Sequence, residues 1–312
     1  MLTALAGGVG AAKFLSGLVA VVDAASVTAI VNTGDDDEFH GLKVSPDLDS
    51  VTYTLAGAQN VAQGWGLAGE TFATMDALDR YGVPTWFRLG DRDIATHLFR
   101  TQELAAGLPL SEVTARIANA WGLTTRLLPV TDDRLATRIT VRRADGREET
   151  LAMQEWFVKE RSESAVVAVS FAGADTAKPG PGVLDAIAAA ETVIICPSNP
   201  VISIGPILAV PGVREALIAR RDRVIGISPI IAGAPVRGPA DRLMDPLGIE
   251  VSCVGVAHAY ADICSTLVID SRDSGRAAEV EAAGVRAVVA DTLMTDSRIA
   301  AALARETLAS VA

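Results

Sequence analysis

The chain has 312 residues, half of them hydrophobic, with aromatics at 4%, mean hydropathy +0.33, net charge −11 and a pI of about 4.8. That length supports a large core, and its aliphatic-rich composition suits parallel strands covered by helices on both faces. The absence of any basic stripe argues against nucleic acid and no apolar run spans a membrane, while three scattered cysteines (Cys196, Cys253, Cys264) fit a reducing compartment, so a cytoplasmic protein is expected.

Leu2–Ala6 is a short aliphatic strand, followed by Gly7-Gly8-Val9-Gly10 and a helical run through Val22. Val27–Asn32 is a second strand, ending in Thr33-Gly34-Asp35-Asp36-Asp37. Strand, glycine turn, helix and strand open a βαβ unit. From Asp47 to Trp121 the pattern is mostly helical, with starts at Ser45-Pro46 and Ser111 and a stop at Gly107. Thr137–Arg143 and Glu149–Trp156 alternate and meet at Ala144-Asp145-Gly146, a hairpin turn. Parallel-type strands are expected again at Ala165–Phe171, Thr192–Cys196, Arg223–Ser228, Thr266–Asp270 and Val285–Ala290, with helices at Gly182–Ala190, Val213–Arg221, Arg276–Ala283 and Asp296–Ala309. The chain reads as one α/β domain: a doubly wound, mostly parallel, Rossmann-like sheet from residues 1–54 and 164–312, with a helical and β-hairpin insertion over about 55–163.

Ligands of such sheets bind beyond the carboxyl ends of the strands. The turn holding Gly7, Gly8, Gly10 and Lys13 suits close approach of a phosphate to backbone N–H groups and a helix N-terminus, although it fits neither the Walker nor the dinucleotide spacing. A plain strand-to-helix turn is the simpler reading of the same residues. After the second strand, Asp35, Asp36, Asp37 and Glu38 crowd together, as in a solvated acidic loop or a site for a hard cation such as Mg²⁺. Asp47 and Asp49 stand in the first turn of the helix opened by Ser45-Pro46, where they complement the helix dipole or join that site. Asp49, Thr52 and Tyr53 share a face. Asp93, His97 and Arg100 line one helical stripe, either as an anion site or as an internal salt-bridge ladder. The loops Pro197-Ser198-Asn199-Pro200 and Ser228-Pro229-Ile230-Ile231, with Arg237 close behind, follow strands expected to be neighbours; the Ser and Asn side chains of the first are expected to be free for a ligand, and either loop also reads as a plain turn. Of Trp65, Trp86, Trp121 and Trp156, most are expected in the core and one on a planar ring.

Taken in order, Gly7-Gly8-Val9-Gly10, Asn32-Thr33-Gly34-Asp35-Asp36, Ser45-Pro46-Asp47-Leu48-Asp49, Gly90-Asp91-Arg92-Asp93-Ile94-Ala95-Thr96-His97, Ser198-Asn199-Pro200 and Ser228-Pro229-Ile230-Ile231 resemble the 2-phospho-L-lactate transferases of coenzyme F-420 biosynthesis, the CofD/FbiA family. The resemblance covers nearly the whole chain. It implies transfer of a phosphorylated three-carbon acid (phospholactate, phosphoenolpyruvate or phosphoglycerate) from a guanosine-diphosphate-linked donor to the ribityl hydroxyl of the deazaflavin Fo, with release of GMP. It further implies Mg²⁺ on Asp35, Asp47 and Asp49, which double as active-site carboxylates. Gly7, Gly8, Gly10, Lys13, Ser198, Asn199 and Ser228 would lie on the nucleotide, and Thr52, Asp91, Asp93, His97 and Arg100 on the Fo and acid side. A homodimer and a guanylyltransferase supplying the donor complete the expectation.

Two other classes share features with the chain. The YvcK-like nucleotide-sugar-binding regulators have a similar glycine turn, but their second loop is rich in glycine and serine rather than aspartate. A nicotinamide-dependent oxidoreductase would use Asp35 on a ribose, but the glycine spacing and the surplus carboxylates speak against it.

Overall fold

The computed structural model describes residues 1–311. Seven parallel strands, β1 (Leu2–Ala6), β2 (Val27–Val31), β3 (Arg126–Pro129), β4 (Thr192–Ile195), β5 (Val224–Ile227), β6 (Thr266–Asp270) and β7 (Arg286–Ala290), form one sheet in the order β7-β6-β5-β4-β1-β2-β3. The chain starts in the middle at β1, winds outward through β2 to β3, then returns beside β1 as β4 and winds the other way. β1 and β4 therefore flank the switch point of the sheet.

Side-chain alternation explains why these strands read as unbroken aliphatic runs. Leu5, Ile30, Val193 and Ile195 pack into one core, while Ala4, Ala6, Ala29, Val31 and Ile194 pack into a second on the opposite face. The second core is closed by α1 (Gly8–Val19), α2 (Pro46–Leu55) and the C-terminal helix Ser297–Ala309. A Cβ on Gly17 would lie 2.3 Å from the Ala300 carbonyl carbon, so only glycine lets those two backbones approach. Gly17→Ala should therefore destabilise by about 1–3 kcal/mol in urea unfolding, despite the better helix propensity of alanine. A stabilised variant would show that the helices are not in contact.

The expected insertion carries α3 (Ala73–Arg80), α4 (Asp93–Ala105) and α5 (Leu110–Ala120), together with the hairpin Ala136–Arg142/Glu148–Ala152. Two expectations need correction. Arg126–Pro129, within the range assigned to the insertion, is the edge strand of the central sheet and pairs with β2. Ala165–Ala172 is not a parallel strand of that sheet; it lies antiparallel to Ala136–Arg142 in a separate three-stranded sheet. Its burial alternates because only one face is covered. Among the described residues no helix is long and apolar enough to cross a membrane.

Candidate active site

The turn after β1 is built by what surrounds it. Gly7 is extended and Gly8 takes φ +70°, opening α1. A Cβ on Gly7 would fall 2.8 Å from Ser203 Cβ and 3.0 Å from Asp47 Oδ2, and one on Gly10 would fall 2.2 Å from the Pro197 carbonyl oxygen. The glycines thus let three segments meet at the switch point. Asp47 staples them: its Oδ1 accepts from Gly8 N–H at 2.8 Å and its Oδ2 from Asn32 Nδ2 at 2.9 Å, while Asn32 Oδ1 accepts from Gly34 N–H at 2.7 Å. Asn32 was not among the expected site residues. Only the fold brings it opposite a carboxylate fifteen positions away.

The loop after β4 also differs from expectation. The Ser198 hydroxyl donates to the Gly7 carbonyl at 2.7 Å, and Asn199 Oδ1 accepts from Val201 N–H at 2.9 Å, capping the turn Pro200–Ile204. Both side chains are tied to backbone groups that would otherwise be buried without partners. The Ser228 hydroxyl likewise bonds within its own loop, to Ile230. Lys13 is half-buried on α1 and makes no ion pair among the described residues.

Beside this frame lie the carboxylates after β2. Asp35 is buried and Asp36 half-buried, while Asp37 and Glu38 continue into the small hairpin Asp37–Phe39/Leu42–Val44. Ser45 does not cap α2 with its side chain; its hydroxyl donates to Asp36 Oδ2 at 2.6 Å. One oxygen of Asp35 and one of Asp36 are buried without a hydrogen-bond partner, as are the hydroxyls of Thr33 and Thr137. Burial foremost, with Asp47 next, holds the Asp35 carboxyl well above the usual range, and burial does the same for Asp36 despite Ser45. Asp47 is pushed up to about 6 by burial, partly offset by its bonds to Asn32 and Gly8. Crowded carboxyls with open oxygens fit a hard cation. Among the described residues no group of three or more His, Cys, Asp or Glu is arranged to hold a metal. Asp35 and Asp36 are the carboxylates that would hold such a cation, with ligand oxygens and water completing its shell.

A carboxyl whose folded pKa exceeds its unfolded value holds its proton more tightly when folded. The stabilisation this gives is complete below the ordinary value of 3.8 and is lost as pH rises through about 6 for Asp47; the raised Asp35 carboxyl acts in the same direction. Mg²⁺ should restore it, raising Tm on the order of 5 °C at pH 7.5 and little at pH 5 in thermal melts. An equal shift at both pH values would mean that the cation binds elsewhere.

Asp49, close enough to act on Asp36 and Asp47, is itself engaged by a second set of side chains. Arg100 grips both its oxygens, Nη1 to Oδ2 at 3.1 Å and Nη2 to Oδ1, with Arg100 1% and Asp49 5% exposed. His97 Nδ1 is 3.2 Å from Arg100 Nη1, its Nε2 is 3.2 Å from Asp93 Oδ2, and the Tyr53 hydroxyl donates to Asp93 Oδ1 at 2.6 Å. Burial opposes the charge on Asp93, yet His97 and Tyr53 hold its carboxyl below the usual range. Burial, then Asp49 and Asp93, pushes the Tyr53 phenol up, so it remains a donor. The helical stripe is thus an internal ladder joining α2 to α4. Thr52 donates to Leu48 O within α2, and Asp91 caps α3 by accepting from Ala73 and Thr74 N–H, each at 2.9 Å. Neither side chain hydrogen-bonds Asp35, Asp36 or Asp47 among the described residues. Of the tryptophans, Trp156 is fully buried and Trp65 is 42% exposed, with its ring edge-on to Phe72.

The match to the family described as 2-phospho-L-lactate transferase CofD runs over residues 2–308. A phosphoenolpyruvate transferase of Streptomyces griseus is 48% identical over 306 residues, covering 97% of this chain and 96% of that protein. Another, from Kitasatospora aureofaciens, is 48% identical over 311 residues, covering 99% and 97%. A crystal structure of protein BH3568 from Bacillus halodurans superposes with a TM-score of 0.61 at 17% identity, over 98% of both chains, and shares the fold. With the fold, the switch-point turn and these matches over nearly its full length, the chain belongs to the 2-phospho-L-lactate transferase CofD family.

Proposed function

We propose that this chain transfers a phosphorylated three-carbon acid, phosphoenolpyruvate in the first instance, from a guanosine-diphosphate-linked donor to the terminal ribityl hydroxyl of Fo. The observation that carries the reading is the pair of buried, unpartnered carboxylate oxygens on Asp35 and Asp36 beside the switch point. The choice of acid follows the names of the relatives, phosphoenolpyruvate transferases at 48% identity. The hydroxyl oxygen attacks the distal phosphorus, the bond from that phosphorus to the bridging oxygen breaks, and GMP leaves with that oxygen. When bound, Mg²⁺ supplies positive charge against the diphosphate.

The protein's own groups divide the remaining work. Asp35, whose open oxygen is buried, would hold the cation. Asp36, less buried and with its other oxygen fixed by Ser45, would take the hydroxyl proton, a role suited to a carboxyl held above its usual range. The loops at Gly7–Gly10, Ser198-Asn199 and Ser228 would wall the nucleotide with backbone groups rather than with their tied side chains. Asp47 fixes the glycine turn, and Asp49 anchors α4 through Arg100.

The test is to incubate the protein with Fo, Mg²⁺ and guanosine-diphosphate donors carrying phosphoenolpyruvate, phospholactate or phosphoglycerate, reading products by mass spectrometry. The expected result is phosphoenolpyruvyl-Fo with equimolar GMP. Donor binding without any Fo product would favour a nucleotide-binding regulator instead.

A further inference from the structure

The proposed reaction leaves one substrate charge without a partner. Besides its diphosphate, the donor carries the carboxylate of the three-carbon acid, presented to a chain of net charge −11. Two clefts adjoin Asp36. One is lined by Asp35, Asp36, Asp37, Thr137 and Arg138, and the other, of about 280 Å³, by Asp36, Asp37, Glu38, Lys43, Asp132 and Asp133. Arg134 lines both. Lys43 is neutralised by Glu38 at 2.8 Å, whereas neither Arg134 nor Arg138 makes a salt bridge among the described residues.

The backbone that carries Arg134 is fixed on both sides. Asp132 accepts from Ser111 N–H at 2.6 Å and Asp133 from Lys178 N–H at 2.8 Å. The carbonyl of Arg134 itself sits where a Cβ on Gly173 would fall, at 2.2 Å. Next to it Thr137, 2% exposed, has a buried hydroxyl without a partner, while its N–H bonds the Gly34 carbonyl at 2.6 Å and ties this wall to the Asp35 loop. An exposed guanidinium without a salt bridge and a buried hydroxyl line one cleft together with Asp35, Asp36 and Asp37, so an anion bound there would be held by the guanidinium and by a cation on the carboxylates.

We propose that Arg134, with the Thr137 hydroxyl beside it, binds the carboxylate of the transferred acid and so selects acid-bearing donors. This rests on the transferase reading above. The planar fork of arginine matches a carboxylate bidentately, whereas lysine offers a single point charge.

The test compares the phosphoenolpyruvyl donor with the same donor bearing a carboxamide in place of the carboxylate, in the parent protein, Arg134→Ala and Arg134→Lys. The parent should prefer the carboxylate donor by about 10- to 100-fold in KM, Arg134→Ala should lose that preference, and Arg134→Lys should regain part of it. Most of the change should fall in KM rather than kcat, because the group binds the donor in ground and transition states alike. Calorimetric titration of both donors judges Arg134 independently of turnover, so failure of the reaction and failure of this assignment are separable. Equal weakening of both donors in Arg134→Ala, or no change in either, would overturn the proposal.

Discussion

Arg100→Met is expected to lower stability by about 3–5 kcal/mol, the largest structural effect of any single change considered for this protein. The reason is the partner it leaves behind. Asp49 is buried, both its oxygens are held by Arg100, and His97 Nδ1 lies 3.7 Å from its Oδ2. Without the guanidinium, Asp49 must protonate or drag water into the contact between α2 and α4. Replacing both partners, as Asp49→Leu with Arg100→Met, should recover much of the loss, because two apolar groups leave no buried charge. Urea unfolding of the two single variants and the double variant measures this. A loss below about 1 kcal/mol for Arg100→Met would place the pair in solvent and dismantle the ladder.

Asp35→Asn should do the opposite to stability while removing activity. At pH 7 an amide in this position relieves repulsion from Asp47 and Asp36 and the burial of a charge, so Tm should rise. Transfer to Fo should fall on the order of 10³-fold, since the group proposed to hold the cation is gone. The combination is informative, because a residue needed only for folding loses activity and stability together. If Asp35→Asn destabilises the protein, the carboxylate is a structural anchor and the cation belongs elsewhere.

Much of this frame was legible in the sequence. The Gly7-Gly8 turn, the carboxylates after the second strand and the helix opened at Ser45-Pro46 are local patterns, and the fold places them at one sheet edge. Arg126–Pro129 escaped because four residues with a charge at one end and a proline at the other look like a loop, although an edge strand tolerates both. Ala165–Phe171 was misplaced because an apolar run does not say whether one face or both will be covered. The roles of Asp49 and Asp91 depended on partners far along the chain. Arg100 lies 51 positions from Asp49, and Asp91 caps a helix that begins 18 positions before it. Arg134 gave no signal at all, since an unpaired arginine becomes visible only when every nearby carboxylate has been located.

In the proposed reaction Asp35, rather than Asp49, holds the cation beside the switch point. Its most direct test is Mn²⁺ binding by electron paramagnetic resonance, in the presence of GDP, for the parent protein, Asp35→Asn and Asp91→Asn. The surface cap Asp91 serves as the control. Parent-like binding is expected for Asp91→Asn and affinity weakened at least about tenfold for Asp35→Asn. Unchanged Mn²⁺ affinity in Asp35→Asn would contradict it.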